Sequence, residues 1–205
     1  MNVEFYHSVL CGHCFIMSRR MREIVAEYPE INIIHRGFPL RWDDVKEDSD
    51  FENKWEIANR IDEEKRFNIE GMKQTDFPMP TSRLPMIAIQ AATLAGGNEW
   101  DLFDAFQKAL YSDNQNIADE DVIADIIMSQ NVDFDLFLKY YEDPSTEEQI
   151  KEDFKRAETF GLDLIPALVV EEEYPIIGTK RTDLAIKLLN EAALDLGISL
   201  TKTSS

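Results

Sequence analysis

The sequence predicts an α/β fold in which a β-α-β unit and a β-β-α unit are separated by a large, all-helical insertion. Strand and helix patterns alternate near the N-terminus, strand patterns return after Gly161, and the stretch between them has helical periodicity with few strand signals. We therefore assign residues 1–41 and 161–205 to one α/β domain and residues 42–160 to the insertion. A chain of 205 residues with 44% apolar residues can bury a sizeable core without a disulfide.

The N-terminal unit begins with a short apolar strand pattern at residues 3–6. A helical stripe follows, in which apolar residues recur at i, i+4, i+7, i+8 and i+11, and Pro29 ends it. Residues 31–38 are β-branched and half alternating, which predicts a second strand. The connection between the two strands is long enough for parallel pairing.

The insertion begins with an acidic segment, residues 43–72, that carries sparse aromatic anchors at Phe51, Trp55 and Phe67. This composition indicates solvated helices or a mobile flap. Clearer helical stripes follow at residues 100–111 and 119–128. The last helix of the insertion is predicted from a capping box within residues 144–148 and from Gly161 at its C-terminal end.

The C-terminal unit starts with the apolar run 167–170 and continues through three glutamates to a second short strand at 174–177, which predicts a hairpin. A closing helix then runs from about Thr182 to Gly197.

The charge of the chain restricts its partners. A net charge of −19 repels phosphate backbones and anionic membrane surfaces, so nucleic acid is not an expected partner. No stretch approaches the roughly 20 apolar residues of a spanning helix, so membrane insertion is not expected either. The N-terminal residues have neither a basic region nor the apolar core of a secretion signal, which favours a cytoplasmic location.

The most informative motif is Cys11-Gly12-His13-Cys14, placed between the first strand and the first helix. A thiol at a helix N-terminus meets unpaired N–H groups and the helix dipole, which favour its thiolate, so Cys11 is the predicted nucleophile of disulfide exchange. Cys14 is one turn further on and is the predicted resolving thiol. Gly12 leaves the approach to Cys11 open, and His13 can donate to or pair with the thiolate, which would make the disulfide more oxidising.

Other interpretations of the two cysteines remain open. Half of a zinc site would need His7, His13 or His35 as further ligands, because the chain has no second cysteine pair. The thiols could also be an inert buried pair, and His13 could be an exposed residue without a role. Redox chemistry is the interpretation we favour, with no metal and no cofactor beyond the Cys11–Cys14 couple itself.

Two further candidates are Pro166 and Glu4. A cis Ile165-Pro166 bond opposite the cysteines would let the main chain of Ile165 pair with an extended substrate, whereas a trans proline would only begin the strand. In a buried strand beneath the motif, Glu4 would have a raised pKa and could accept the proton of Cys14. Alternatively, Glu4 is a solvent-facing residue of an edge strand.

The sequence resembles the DsbA-like thiol–disulfide oxidoreductases, which have a thioredoxin-like fold with a helical insert. The resemblance lies, in chain order, in the Glu4 strand, the Cys-Gly-His-Cys motif, the helical insertion and residues 161–178. Residues 35–40 and 81–92 are similar to the FrnE-type intracellular branch of that family. The loop between the Glu4 strand and the first cysteine is one residue longer than in the periplasmic enzymes.

The resemblance implies an oxidase or isomerase that acts on protein or small-thiol disulfides. In this assignment Cys11 is the nucleophile, Cys14 the resolving thiol, Ile165 and Pro166 the substrate-binding turn, and Glu4 the buried acid. Two alternatives are kept. Glutathione-using transferases and isomerases resemble the same architecture, although they have a serine at the nucleophile position, and a client-binding module would leave the thiols idle. The oligomeric state is not predicted.

Overall fold

The computed structural model of the chain describes residues 1–43, 51–77 and 79–203. Residues 44–50 of the acidic segment, where solvated helices or a flap were expected, lie outside the described residues, and so does the side chain of Phe51. The elements are β1 (Asn2–His7), α1 (Gly12–Glu27), β2 (Asn32–Gly37), α2 (Phe51–Ile61), α3 (Ile69–Met72), α4 (Arg83–Leu94), α5 (Glu99–Tyr111), α6 (Glu120–Met128), α7 (Phe134–Tyr141), α8 (Pro144–Thr159), β3 (Ala167–Val170), β4 (Tyr174–Ile177) and α9 (Thr182–Asp195).

The strands form one four-stranded mixed sheet in the order β2-β1-β3-β4. Strand β1 pairs in parallel with β2, with Phe5 opposite His35, and antiparallel with β3, with Phe5 opposite Leu168. Strands β3 and β4 form the predicted hairpin. The predicted α/β class and the order of its elements are confirmed.

The two faces of the sheet are covered by different helices. Alternate residues of β1, Val3 and Phe5, pack on α1 and α9 with Met21 and Leu189. Tyr6, the residue after Phe5, packs on the opposite face, in a cluster with residues of β3 and α8. This alternation follows from the two-residue period of a strand and decides which side chains can approach the cysteines.

The insertion packs into a single large core with the residues around the cysteine motif. This core contains Cys11, Cys14 and Phe15 together with buried residues of the helices between β2 and β3. Trp55 and Phe67, the aromatic anchors of the acidic segment, are only 3% and 4% exposed. The described part of that segment is therefore anchored in the core, in contrast to the solvated helices that its composition indicates.

Helix α8 begins differently from the prediction. Its N-cap is Asp143, whose carboxylate accepts a hydrogen bond from the Ser145 N–H, and Pro144 occupies the first turn. The predicted capping box is therefore wrong, because an aspartate directly before a proline is the better cap. The other end agrees with the sequence, since Gly161 has a φ of +66° just after the helix.

In the described ranges, no helix combines the length and apolar character that crossing a lipid bilayer requires.

Candidate active site

Cys11 lies at the end of the loop that leaves β1 and is the N-cap residue of α1. Its backbone is extended (φ −101°, ψ 100°), and its Sγ accepts a hydrogen bond from the Cys14 N–H at 3.2 Å. The thiol is 8% exposed, and its Sγ also lies 3.7 Å from the carbonyl oxygen of Ile165. A sulfur in this position receives the N–H groups and the dipole of the helix, which stabilise negative charge.

Cys14 lies one turn further along α1 and is fully buried. Burial raises the pKa of the Cys14 thiol well above its usual value, and the neighbouring Cys11 sulfur adds to this effect by hydrogen bonding and by charge. Both cysteines are free thiols. The pair is therefore asymmetric, with one sulfur that a substrate can reach and one that stays protonated beneath it.

Gly12 has a packing role in addition to leaving the approach to Cys11 open. A Cβ atom at this position would lie 2.9 Å from the ring of Phe67 and 3.3 Å from the Cβ of Ala58. The insertion thus comes close to the first turn of α1, and a side chain at Gly12 would push it away.

His13 faces the loop that follows β4. Its Nδ1 lies 3.0 Å from the Thr179 hydroxyl, and burial lowers the pKa of the imidazole. At neutral pH the ring is therefore mostly uncharged, and its side-chain contact in the described structure is with Thr179. An influence of His13 on the Cys11–Cys14 couple stays a prediction, and it would act through a neutral ring.

The turn before β3 lies beside the nucleophile. The Ile165-Pro166 bond is cis, as predicted from the sequence, and the Ile165 carbonyl is the group that approaches Cys11. Pro166 is buried, and its carbonyl accepts a hydrogen bond from the Gly178 N–H at 2.7 Å. The hairpin β3–β4 thus holds this turn against the first turn of α1.

A groove of about 300 Å³ opens over Cys11. Its lining combines residues of the α/β domain, such as Leu40 and Leu164, with Ile57 and Lys54 of helix α2. Leu40, Ile57 and Leu164 are 37%, 42% and 62% exposed, which is unusual for large apolar side chains. The thiol is therefore reached through an apolar groove whose walls come from both parts of the chain.

Glu4 is not where its predicted role would require it. It is 3% exposed, on the sheet face that packs against α8, whereas Cys14 belongs to α1 on the other face. Its carboxylate accepts hydrogen bonds from the Tyr6 hydroxyl at 2.6 Å, from Arg156 at 2.9 Å and from Arg36 at 3.2 Å.

These partners also shift the pKa of Glu4 in the direction opposite to the one predicted. Burial alone would raise the pKa of the carboxyl, but the hydrogen bonds from Arg156 and Tyr6 and the charges of Arg36 and Arg156 outweigh burial and lower it. The predictions that Glu4 has a raised pKa and that it accepts the proton of Cys14 are therefore wrong. The edge-strand alternative is wrong as well, because β1 is an inner strand.

Two side chains of α5 that the sequence did not single out contact the site. The fully buried Gln107 amide donates to the Cys11 carbonyl at 3.0 Å and to the Ser8 carbonyl at 3.3 Å. Tyr111 is fully buried in the same core, and burial, with the nearby charges of Cys11 and Cys14, raises the pKa of its phenol well above the usual value. Gln107 could have been identified from the sequence because it places a polar amide within the predicted helix of residues 100–111, whose stripe is otherwise apolar.

The zinc alternative for the cysteines receives no support. Within the described residues, the one group of three or more potential metal ligands that lie together is His7, His35 and Glu99, and it includes neither cysteine.

The asymmetry of the thiols generates a first prediction. Iodoacetamide at neutral pH should alkylate Cys11 while Cys14 stays unmodified, because Cys14 is buried and protonated. Peptide mapping by mass spectrometry measures this, and the same reaction in denaturing urea, where both cysteines should be labelled, is the control. Equal labelling rates in the folded protein would contradict the assignment.

A second prediction concerns Gln107. Gln107→Leu leaves the carbonyls of the active-site loop without their buried donor, so we expect a loss of about 1–3 kcal/mol in the free energy of unfolding. Urea denaturation measures the loss. Gln115→Leu changes an exposed glutamine near the end of the same helix and should shift stability by less than about 0.5 kcal/mol. Equal stability of the two variants would show that the amide does not hold the loop.

Comparison with solved structures shows the same fold in several bacterial proteins. A Nitrosomonas europaea protein provisionally named a protein disulfide isomerase has 18% identity and a TM-score of 0.77, covering 95% of this chain and 98% of its own. A Streptomyces coelicolor protein provisionally described as a DsbA oxidoreductase has 18% identity and a TM-score of 0.76, covering 94% and 89%. The cytosolic disulfide reductase DsbM from Pseudomonas aeruginosa, solved with GSH, has 15% identity and a TM-score of 0.71, covering 96% and 98%.

At these identities the structural similarity shows the fold alone. Among curated protein sequences no significant match is found. The model of the DSBA-like thioredoxin domain matches residues 2–190, which is nearly the whole sequence. The chain therefore belongs to the family of DSBA-like thioredoxin domains.

Proposed function

We propose that this protein is a thiol–disulfide oxidoreductase that works through Cys11 and Cys14. The observation that carries the proposal is the arrangement of the two sulfurs on α1. Cys11 caps the helix at the bottom of an open groove, and Cys14 is buried one turn behind it with a raised pKa. Disulfide exchange needs this combination of an accessible nucleophile and a protected second thiol.

The reaction follows from the roles of the two sulfurs. The Cys11 thiolate attacks one sulfur of a substrate disulfide, a mixed disulfide forms, and the other substrate sulfur leaves as a thiolate. Cys14 then loses its proton and attacks Cys11 Sγ, which forms the Cys11–Cys14 disulfide and releases the second substrate thiol. Two electrons pass to the substrate, and the reverse sequence oxidises a dithiol. The departing substrate thiolate is a base that can accept the Cys14 proton, so the mechanism does not depend on Glu4.

Protein disulfides are the substrates that the groove favours. The exposed apolar side chains of Leu40, Ile57 and Leu164 offer contacts to apolar segments of an unfolded polypeptide. The main chain at Ile165, beside the Cys11 sulfur, is placed to pair with an extended peptide as an added strand. Oxidase or isomerase activity on such substrates is the specific function we propose.

Small thiols are the second candidate class. Arg41 and Lys54 also line the groove and could bind carboxylates. The structurally similar disulfide reductase of Pseudomonas aeruginosa was solved with GSH and is cytosolic, which favours a glutathione-type substrate and a cytoplasmic location for the protein proposed here. Membership of the FrnE-type branch stays part of the proposal. A glutathione transferase or isomerase would not need Cys14, and a client-binding module would not need either thiol.

The test uses the two single cysteine variants. Cys11→Ser should abolish insulin reduction and the refolding of a scrambled disulfide protein, because the nucleophile is lost. Cys14→Ser should accumulate mixed disulfides, since nothing resolves them, and mass spectrometry identifies whether the trapped partner is a peptide or glutathione. Full activity in Cys11→Ser would reject the proposed mechanism. Undiminished activity in Cys14→Ser would show that no resolving thiol is needed, and glutathione conjugation by that variant would favour the transferase alternative.

A further prediction concerns His13. His13→Pro should make the reduction potential of the couple more negative, by tens of millivolts on the scale of known couples, if the neutral imidazole stabilises the thiolate as the sequence predicts. Proline is compatible with the first turn of α1, where backbone N–H groups have no helical partner. Equilibration with glutathione measures the potential. Thr179→Val, which removes the side-chain contact of the ring, should shift it in the same direction, and an unchanged or more positive potential in His13→Pro would refute the tuning role.

A further inference from the structure

A second cluster of ionisable side chains lies where β1, β2 and the start of α5 meet. His7 and His35 project from the same sheet face, and His35 Nδ1 is 3.0 Å from His7 Nε2. Glu99, the first residue of α5, completes the group, and one ligand atom from each of the three residues lies within 4.8 Å of the others. None of these residues takes part in the proposed disulfide exchange.

The polar atoms of this cluster are incompletely satisfied. His7 is 2% exposed, and its Nδ1 has no hydrogen-bond partner in the part of the chain that the structure describes. Buried polar atoms without partners are rare in folded proteins, and where one occurs, a bound ion can supply the missing partner. In the same described residues, the carboxyl of Glu99 takes part in no hydrogen bond or ion pair.

We propose that His7, His35 and Glu99 form a binding site for one divalent transition-metal cation of the Zn²⁺ type. Two imidazoles and one carboxylate are a common ligand set for such ions, with a position left open for water or another ligand. In the tetrahedral geometry of zinc, ligand atoms about 2.0–2.2 Å from the ion are about 3.3–3.6 Å apart. Ligand atoms of this cluster that are now up to 4.8 Å apart must therefore approach one another by up to about 1.5 Å when the site closes.

The protonation states suit metal binding. Burial lowers the pKa of both imidazoles, to about 4 for His35, so both rings are neutral at neutral pH and each has one nitrogen lone pair that can bind a cation. Burial, together with the charge of Asp153, raises the pKa of Glu99 to about 7.

Two arginines near the cluster would by themselves repel a cation. Arg22 lowers the pKa of His35, and Arg36 acts in the same sense on Glu99. Each is neutralised by two carboxylates, Arg22 by Asp101 and Asp104, and Arg36 by Glu4 and Asp153. Arg156 shares Glu4 with Arg36 and also pairs with Glu172. Five acidic groups therefore face three arginines, so the local charge is no obstacle to a cation.

Aromatic side chains hold the two imidazoles in place. The His35 ring lies edge-on to Trp100 with centroids 5.2 Å apart, and the His7 ring lies 3.9 Å from Phe103. Trp100 in turn donates to the Ser18 hydroxyl at 2.7 Å. Ligands fixed in this way lose little freedom on binding, and this favours affinity.

The experiment uses the full chain with Cys11→Ser and Cys14→Ser, so that the thiols cannot bind metal. Titration with Co²⁺, followed by visible absorption, and with Zn²⁺, followed by calorimetry, should give one ion per chain and a raised Tm. Adding Glu99→Gln or His35→Asn should weaken metal binding at least about tenfold. Mutating a residue that only hydrogen-bonds to a metal ligand already costs about tenfold or more in affinity, and these two residues are the ligands themselves. Glu120→Gln, which changes the equivalent first residue of α6, and His13→Asn are matched controls that should leave binding unchanged.

Absence of stoichiometric binding in the thiol-free chain, or equal binding in the Glu99→Gln and Glu120→Gln variants, would overturn the proposal. Circular dichroism checks folding, and if His35→Asn fails to fold, Glu99→Gln decides alone. Since the cysteines are absent throughout, the outcome is independent of the proposed redox function.

Discussion

Strand β1 is the constraint on which the rest of the structure depends. It is hydrogen-bonded to β2 on one edge and to β3 on the other, and after its first residue it is buried on both faces. The helices α1 and α9 cover one face, and α8 covers the other. Cys11, the proposed nucleophile, lies in the short loop between this strand and α1. A strand that is paired on both edges and buried on both faces therefore positions its sulfur.

The site is assembled from segments that are distant in sequence. The Ile165 carbonyl, which follows the insertion in sequence, lies beside the Cys11 sulfur, and the Gln107 amide holds the carbonyls of the same loop from within the insertion. Phe67 packs so closely on Gly12 that a Cβ atom there would clash. The helical insertion is therefore a structural component of the thiol site, although the element order alone suggests an appended unit.

Local patterns predicted the strands, the hairpin, the ends of several helices and the cysteine motif, because these depend on neighbouring residues. The prediction for Glu4 was wrong for a physical reason. The two-residue period of a strand shows that Glu4 and Tyr6 lie on the same face of the sheet, but it does not show whether α1 or α8 covers that face. Gln107 and Glu99 occupy ordinary helical positions, and their partners lie far away in sequence. Such contacts arise only when the fold brings the elements together.

The walls of the groove come from both the α/β domain and the insertion, so substrate docking and reactivity of the sulfurs depend on different parts of the chain. The proposed disulfide exchange uses the first turn of α1 and the turn before β3, whereas Ile57 and Lys54 of α2 shape one wall of the groove. Replacements along that wall can change which molecules dock while the sulfurs keep their environment. Evolution could therefore change the substrate range of this fold by substitutions in α2, without changing the proposed reaction at the two sulfurs.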